Sequence, residues 1–163
     1  MNRLTLNQNL SNPTIVDSTL PIYQISTRGG IQNVLGLIRD DVFQSQAKLT
    51  RQRISRVLDG KLGFKPARIT FMKDERDDVV GLSLSSVNIR QNLGVIHWRV
   101  ISPDLQGLGL MTEIHGAEAN GFRREGIGFV ETLAESDNGL KSLLKLGFQV
   151  YLQGEKPHVR LVL

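Results

Sequence analysis

Residues 100–111 read Val-Ile-Ser-Pro-Asp-Leu-Gln-Gly-Leu-Gly-Leu-Met, and this stretch says most about the fold. An apolar, β-prone run over residues 94–102 ends at Pro103, two glycines follow at Gly107 and Gly109, and helical periodicity begins directly after them. The pattern predicts a strand, a glycine-rich turn and a helix N-terminus. Several backbone N–H groups then converge at one place, together with the positive end of the helix dipole. The segment therefore predicts a pyrophosphate-binding site. Glycines suit such a site because they have no Cβ to keep the anion away from the backbone.

Two common phosphate-binding motifs do not fit this spacing. A P-loop requires Gly-Lys followed by Ser or Thr, and that sequence does not occur in the chain. The dinucleotide fingerprint G-x-G-x-x-G has Thr112 where its third glycine belongs. It also needs an early βαβ unit, whereas these glycines lie in the second half of the chain. Both nucleotide-binding classes are therefore excluded.

The segment resembles the acetyl-CoA motif of the GNAT acetyltransferase superfamily, which reads Gln/Arg-x-x-Gly-x-Gly/Ala. Gln106 and Gly109 occupy their places in that motif, and a Val-x-Pro-like step precedes it, here Ile101-Ser102-Pro103. Met111 departs from it, because Gly or Ala is usual there. The larger side chain either crowds the pyrophosphate or packs beneath the helix.

A later motif of the same family is also present. Residues 135–148 read Glu-Ser-Asp-Asn-Gly-Leu-Lys-Ser-Leu-Leu-Lys-Leu-Gly-Phe, which resembles the family's short helix with its Lys-x-Gly-Phe ending. Ser136 takes the place of the family's usual Asn, and Asn138 lies nearby. Either side chain can cap the helix start, and Gly147 suits the position after the helix, where φ is positive. The two motifs follow one another in the family's order and spacing.

Periodicity along the chain predicts an α/β (α+β) fold with a mixed, mostly antiparallel central sheet flanked by helices, in the order βααβββαβαββ. The resemblance implies that this order is the GNAT fold. We expect one domain over residues 19–163, preceded by a polar segment, 1–18, that is either disordered or an edge strand. The predicted strands cover 20–26, 67–72, 79–87, 93–101, 127–133, 148–152 and 159–163, and the predicted helices cover 31–43, 50–58, 108–124 and 140–146.

The resemblance implies an acetyl-CoA-dependent N-acetyltransferase in which a primary amine attacks the thioester directly. Acetyl-CoA is then a co-substrate, and the acceptor is a small-molecule amine or a polypeptide N-terminus. The glycine turn would hold the pyrophosphate, and residues 100–102 would pair with the pantetheine arm like an added strand. The residues expected to contact the co-substrate are Val100, Ile101, Ser102, Gln106, Gly107, Leu108, Gly109, Leu110, Met111, Asn138 and Leu143.

The catalytic groups of the family are incompletely matched. GNAT enzymes often carry a glutamate on the strand before the turn, where this chain offers His97 as the titratable substitute. Glu131, on the next strand, is a rival base. The family's usual thiolate acid is a tyrosine, and Leu143 stands at its position. Two alternatives therefore stay open: a CoA-binding regulatory module without turnover, and an acyltransferase that uses a longer acyl-CoA.

Composition is that of one soluble globular domain, with 163 residues, 40% of them hydrophobic and 22% charged. The chain has no cysteine, which excludes disulfides, thiolate metal sites and a cysteine nucleophile. Its three histidines are scattered without a carboxylate frame, so we expect no metal. No apolar run reaches membrane-spanning length, and the N-terminus lacks the layout of a signal peptide. We expect a cytoplasmic protein with no membrane partner.

The net charge of +4 is unevenly spread. Residues 48–68 contain seven basic residues against Asp59 alone. A solvated helix face accounts for this segment, although it could also attract an acidic partner. Phe64 is its only aromatic residue, which argues against a stacking surface for nucleic acid. The sequence leaves a homodimer open.

Overall fold

The computed structural model describes residues 13–14 and 20–163. Its strands form one sheet of eight in the order β1-β2-β3-β4-β5-β6-β8-β7. The strands are β1 (Pro13–Thr14), β2 (Ile22–Ile25), β3 (Ala67–Lys73), β4 (Val79–Asn88), β5 (Leu93–Ile101), β6 (Phe129–Leu133), β7 (Gln149–Leu152) and β8 (His158–Val162). The α-helices of the described chain are α1 (Arg28–Gly36), α2 (Asp40–Phe43), α3 (Ala47–Leu58), α4 (Leu110–Arg124) and α5 (Asp137–Lys145).

One junction in the sheet differs from the others. Neighbouring strands are antiparallel except β5 and β6, which run parallel with α4 as their crossover and pair only over residues 93–95 and 129–131. Beyond these pairs, the Thr132 hydroxyl donates to the Ile96 carbonyl at 3.1 Å. In the described structure the rest of β5 has no ladder partner on this side. We call residues 97–101 of β5 and 132–133 of β6 the β5–β6 opening.

Helices cover both faces of the sheet and bury an apolar core on each. On one face, Phe43 and Ile54 from α2 and α3 pack with Leu82 of β4. On the other face, α4 contributes Ile114 and Phe122, both fully buried. Each such side chain stabilises the fold by about 1.5–3 kcal/mol through the apolar surface it removes from water.

From β3 onward the predicted order of strands and helices is confirmed, with shifts at some boundaries. The hairpin expected over residues 79–87 and 93–101 is β4 and β5, and α3 ends at Leu58 just before Gly60, as predicted. The helix after the glycine turn begins at Leu110 instead of residue 108, because Gly109, with a positive φ, is its N-cap. The segment 1–18 lies outside the described residues except for 13–14, which pair with β2. The domain bounds 19–163 stay a prediction.

The single helix predicted over residues 31–43 is wrong, because two helices, α1 and α2, occupy this stretch. Arg39 separates them in an extended conformation, with φ −104° and ψ 138°. Its guanidinium donates to Asp41 and, at 2.9 Å, to Asp78 in the loop before β4. The break therefore depends on a contact with a distant loop, which helical periodicity cannot register.

Among the described helices, none combines the length and the apolar character needed to cross a membrane.

Candidate active site

The glycine-rich turn leads from β5 into α4 and is open on its outer side. Gly107 and Gly109 have φ values of 82° and 77°, and no described atom lies within 4 Å of where a Cβ would stand on either residue. Gly109 is the N-cap of α4 and offers no side chain to the N–H groups of the first turn. Those donors and the helix dipole favour an anion at this place. The turn is therefore open to an anion at the start of α4.

Two predicted turn residues have identifiable structural contacts. Met111 is partly buried and packs against the apolar cluster that contains Leu110 and Ile114. It therefore follows the second alternative for this position, packing beneath the helix. Gln106 is exposed, and its Nε2 donates to the Ile101 carbonyl at 3.4 Å.

The backbone of β5 presents alternate residues to the β5–β6 opening. The Ser102 N–H donates to the Val80 carbonyl of β4 at 2.7 Å, so its backbone faces the paired side. The Ile101 carbonyl receives the Gln106 side chain and faces away from β4. By the two-residue period of a strand, Arg99 faces the opening with Ile101, while Val100 faces β4 with Ser102. Of the three strand residues predicted to pair with the pantetheine arm, Ile101 presents its main chain to the opening. Arg99, which the prediction did not include, does so as well.

His97 is the extra residue of a β-bulge. The register between β4 and β5 shifts at this point, so that Trp98 pairs with Leu84 and Ile96 pairs with Ser85. Bulges commonly redirect a side chain beside an active site. His97 Nε2 lies 2.7 Å from the Ser86 hydroxyl oxygen. The sequence identified this histidine by its position before the turn, but not the bulge that orients it.

The loop before β3 packs closely on the His97 ring. The Phe64 N–H donates to the Ser86 hydroxyl at 3.0 Å, and a Cβ on Gly63 would stand 2.4 Å from His97 Nε2. Burial first, and the charge of Arg53 second, lower the pKa of the His97 imidazole to about 4. The ring is therefore neutral at pH 7. It keeps a nitrogen lone pair for accepting a proton, although it is a weaker base than an ordinary imidazole.

Trp98 joins this region to α3. Its Nε1 donates to the Thr50 hydroxyl at 3.0 Å, and the Arg53 guanidinium lies 5.4 Å from the ring centroid. The stacked cation and the hydrogen bond fix the indole on the α3 side of the sheet. Trp98 and Arg53 thus lie close to His97 on the same side.

Glu131 is engaged in an ion pair. Its Oε1 accepts from the Arg160 guanidinium on β8, at 2.7 Å from Nε and also from Nη2. Glu131 pairs with Val95 in the parallel ladder, two residues before His97, so both candidate bases lie near the start of the β5–β6 opening. The ion pair with Arg160 occupies this carboxylate.

A buried polar network lies beneath α4. Ser83 on β4 donates to Glu118 Oε2 at 2.6 Å, and Glu118 is 1% exposed. Arg99 Nη2 lies 3.4 Å from Glu118 Oε1 and 3.0 Å from His115 Nδ1. Sequence reasoning missed this network, although Glu118 stands four residues after the fully buried Ile114, on the helix face that packs against the sheet.

Two residues of α5, Asn138 and Leu143, are predicted to contact the co-substrate, and they differ in exposure. Ser136 caps the helix, because its hydroxyl accepts from the Gly139 N–H at 3.0 Å, which leaves Asn138 exposed in the first turn. Leu143 is 7% exposed and packs in the core cluster that contains Phe148. Gly147 has φ 96° and follows the helix as predicted.

The chain is similar to known proteins in its fold. No protein-family model matches the sequence, and no curated protein matches it. A protein from Desulfovibrio desulfuricans assigned to the GNAT family of acetyltransferases matches at 13% identity and TM-score 0.64, over 88% of this chain and 99% of its own. Tetrahymena GCN5 matches at 13% identity and TM-score 0.61, over 80% of this chain and 87% of its own. The chain has the GNAT fold.

A third structure with a similar fold contains coenzyme A. PaiA N-acetyltransferase from Thermoplasma acidophilum, solved in complex with coenzyme A, matches at 10% identity and TM-score 0.60, over 87% of this chain and 99% of its own. Within the GNAT fold of the present chain, the glycine turn, Ile101 and His97 lie along one continuous path from α4 to the bulge. Val100, Ser102 and Leu143 are buried.

Leu143 is the position at which the GNAT resemblance expects a tyrosine. We expect a Leu143→Tyr variant to fold with a loss of about 1–3 kcal/mol in unfolding free energy, because a larger side chain must enter a packed core. Chemical denaturation measures this loss, with Leu144→Tyr as the matched control, since Leu144 is 46% exposed on the same helix. A Leu143→Tyr variant as stable as the control would show that the side chain has open space beside it.

Proposed function

We propose that this chain is an acetyl-CoA-dependent N-acetyltransferase that transfers an acetyl group to a primary amine by direct attack. One observation carries the proposal: the anion-binding turn at the N-terminus of α4 lies next to the unpaired edge of β5. The turn would supply hydrogen-bond donors for a pyrophosphate. The strand edge beside it would pair with an extended arm that carries amide groups. That pair of features matches the two chemical parts of coenzyme A, and the fold is that of known acetyltransferases.

The residues that would hold acetyl-CoA follow from this geometry. The N–H groups that follow Gly107 and Gly109 would bind the pyrophosphate, and Leu108, 66% exposed, stands on the outer side of the turn. The main chain of Ile101 and Arg99 would pair with the pantetheine amides. Bound acetyl-CoA supplies an activated acyl group and a thiol leaving group.

His97 is the proposed proton acceptor for the attacking amine. The Ser86 oxygen has a second lone pair besides the one used by the Phe64 N–H, so it can accept the His97 Nε2–H. Nδ1 then carries a free lone pair, and no described residue hydrogen-bonds to it. As the amine nitrogen forms its bond to the acyl carbon and the carbon–sulfur bond breaks, the proton of the nitrogen passes to Nδ1 directly or through water.

The acceptor class is tested by a thiol-release assay with acetyl-CoA. The amines to be compared are peptides with free N-termini, polyamines, aminoglycosides and amino acids. We expect one class to release coenzyme A well above the rate without an acceptor, and the mass of its product to rise by one acetyl group. Release without an acetylated product would contradict amine acetylation.

Substitution of Gly109 tests the co-substrate site. We expect Gly109→Val to weaken acetyl-CoA binding by about tenfold or more, because a β-branched residue resists the positive φ and covers the N–H groups that the anion needs. Isothermal titration calorimetry measures the dissociation constant.

Gly126→Val is the matched control for this variant. Gly126 has φ 75° and no described atom within 4 Å of its Cβ position, so it carries the same backbone strain. It lies beyond the opposite end of α4. Equal affinities in the folded Gly109 and Gly126 variants would show that the turn does not bind the co-substrate.

A regulatory module that binds CoA without turnover is the second candidate function. The ion pair of Glu131 with Arg160 favours it, because that carboxylate is occupied, and Leu143 offers no proton donor where the resemblance expects a tyrosine. Tight binding of acetyl-CoA together with no acetylated product from any amine of the panel would select this function.

A further inference from the structure

Arg99 is a half-buried cation with an unused donor. Its Nη2 contacts His115 and Glu118, whereas its Nε–H is buried and has no hydrogen-bond partner among the described residues. A buried donor without a partner is rare in folded proteins and calls for a reason. A guanidinium that packs under a helix also calls for a reason, since burial penalises its positive charge.

The position of Arg99 in the sheet suggests what the donor meets. Its main chain lies at the unpaired edge of β5, two residues beyond the His97 bulge and two before Ile101. Its side chain extends under α4, and its guanidinium carbon lies 5.9 Å from the ring centroid of Phe148, just after α5. An extended ligand that begins at the glycine turn and runs along β5 would therefore have its far end near Arg99.

The charges around the guanidinium leave it able to attract an anion. In the described structure, its ionisable contacts are Glu118 and His115, both on α4. Glu118 also accepts the short hydrogen bond from Ser83, and its distance to Arg99 is the longer one, 3.4 Å. Burial first, followed by the charges of Arg99 and Arg123, lowers the pKa of His115 to about 4, so this ring is uncharged at neutral pH and Glu118 is the one acidic group that contacts the guanidinium among the described residues. Burial also lowers the pKa of Arg99.

We propose that the Arg99 guanidinium stabilises the thiolate that leaves when the carbon–sulfur bond of acetyl-CoA breaks. This inference rests on the proposed function. The electron pair of the broken bond goes to sulfur, which Arg99 holds as the anion while the proton of the amine passes to His97 or water. The guanidinium thus takes the place of the tyrosine that the resemblance expects at Leu143. A cation suits this role because it stabilises the charge without giving up a proton.

The test measures ionisation of the thiol of bound coenzyme A, which needs no acceptor. The ultraviolet absorbance of the thiolate is titrated with pH for free coenzyme A and for coenzyme A saturated with protein. We expect the intact protein to lower the thiol pKa by about 1–2 pH units, the effect of an opposite charge at ion-pair distance. Arg99→Lys keeps a cation there and is expected to retain part of this effect.

A paired substitution separates this role from a structural one. Arg99→Gln together with Glu118→Gln removes both buried charges at once, so no uncompensated ion is left in the core. We expect the double variant to return the thiol pKa to the free value, and Glu118→Gln alone to lower it at least as far as the intact protein does. Arg56→Gln, which removes an exposed cation on α3, should leave it unchanged.

The outcomes are distinguishable. If coenzyme A binds the folded double variant with the same low thiol pKa as it has on the intact protein, Arg99 is a structural residue and the inference is wrong. If the intact protein binds no coenzyme A in calorimetry, the proposed function fails and the inference fails with it.

Discussion

Replacing His97 with alanine is expected to lower kcat about 10²–10⁴-fold at neutral pH, the contribution of a positioned general base. The pKa of His97 is lowered to about 4, so the imidazole stays neutral, and able to accept a proton, at every pH well above 4. The variant loses this acceptor, and its amine substrate must deprotonate in solution. Its deficit should therefore shrink as the pH rises toward the pKa of the amine. The measurement is the pH–rate profile of thiol release with the best acceptor of the panel.

Two comparisons make this result specific. His158→Ala removes a histidine on β8, away from the bulge, and should keep the parent profile. Ser86→Ala removes the hydroxyl that lies 2.7 Å from Nε2 and should cause an intermediate loss, because the ring is less well oriented. A parent-like profile in His97→Ala would remove this residue from the mechanism and leave Glu131 or a water chain as the base.

Replacing Phe122 with alanine is expected to cost about 3–5 kcal/mol of unfolding free energy. Phe122 is fully buried in α4, and the Arg68 guanidinium carbon lies 5.0 Å from its ring centroid. The ring also fills the space beside Gly94, where a Cβ would stand 2.8 Å from it. The truncation therefore removes apolar contacts, leaves a cavity and exposes one side of a buried cation.

Equilibrium denaturation in urea measures this loss. Phe64→Ala is the control, because Phe64 is 44% exposed and its truncation should change stability by less than about 0.5 kcal/mol. A loss below about 1 kcal/mol in Phe122→Ala would show that the surrounding core collapses into the cavity.

Local patterns predicted most of the fold. Helix ends followed from Gly60, Gly147 and Ser136, since each of these residues has a backbone or side-chain preference that is independent of the rest of the chain. The hairpin of β4 and β5 followed from its alternation of apolar residues. Features of this kind need only neighbours in sequence.

The parts that were not predicted depend on residues far apart in sequence. The bulge at His97 involves Ser86 and the loop at Gly63, and it changes which residues of β5 face the opening. For this reason the residues whose main chains face the opening, Arg99 and Ile101, differ from the predicted set of Val100, Ile101 and Ser102. The basic segment over residues 48–68 was read as a solvated face, yet Arg68 is 3% exposed and paired with Glu125, because it points under α4.

The three-pair ladder between β5 and β6 also affects local rigidity. The two ladders that flank this junction are longer, with eight residue pairs between β4 and β5 and five between β6 and β8. The junction of β5 with β6 has three pairs and so holds the two parts of the sheet together by fewer main-chain hydrogen bonds. Segments with few such bonds open at the lowest free-energy cost. A ligand arm that pairs with Ile101 and Arg99 would add hydrogen bonds at this junction. Co-substrate affinity and the stiffness of the sheet would then arise from the same contacts, so a substitution that loosens the junction would weaken both together.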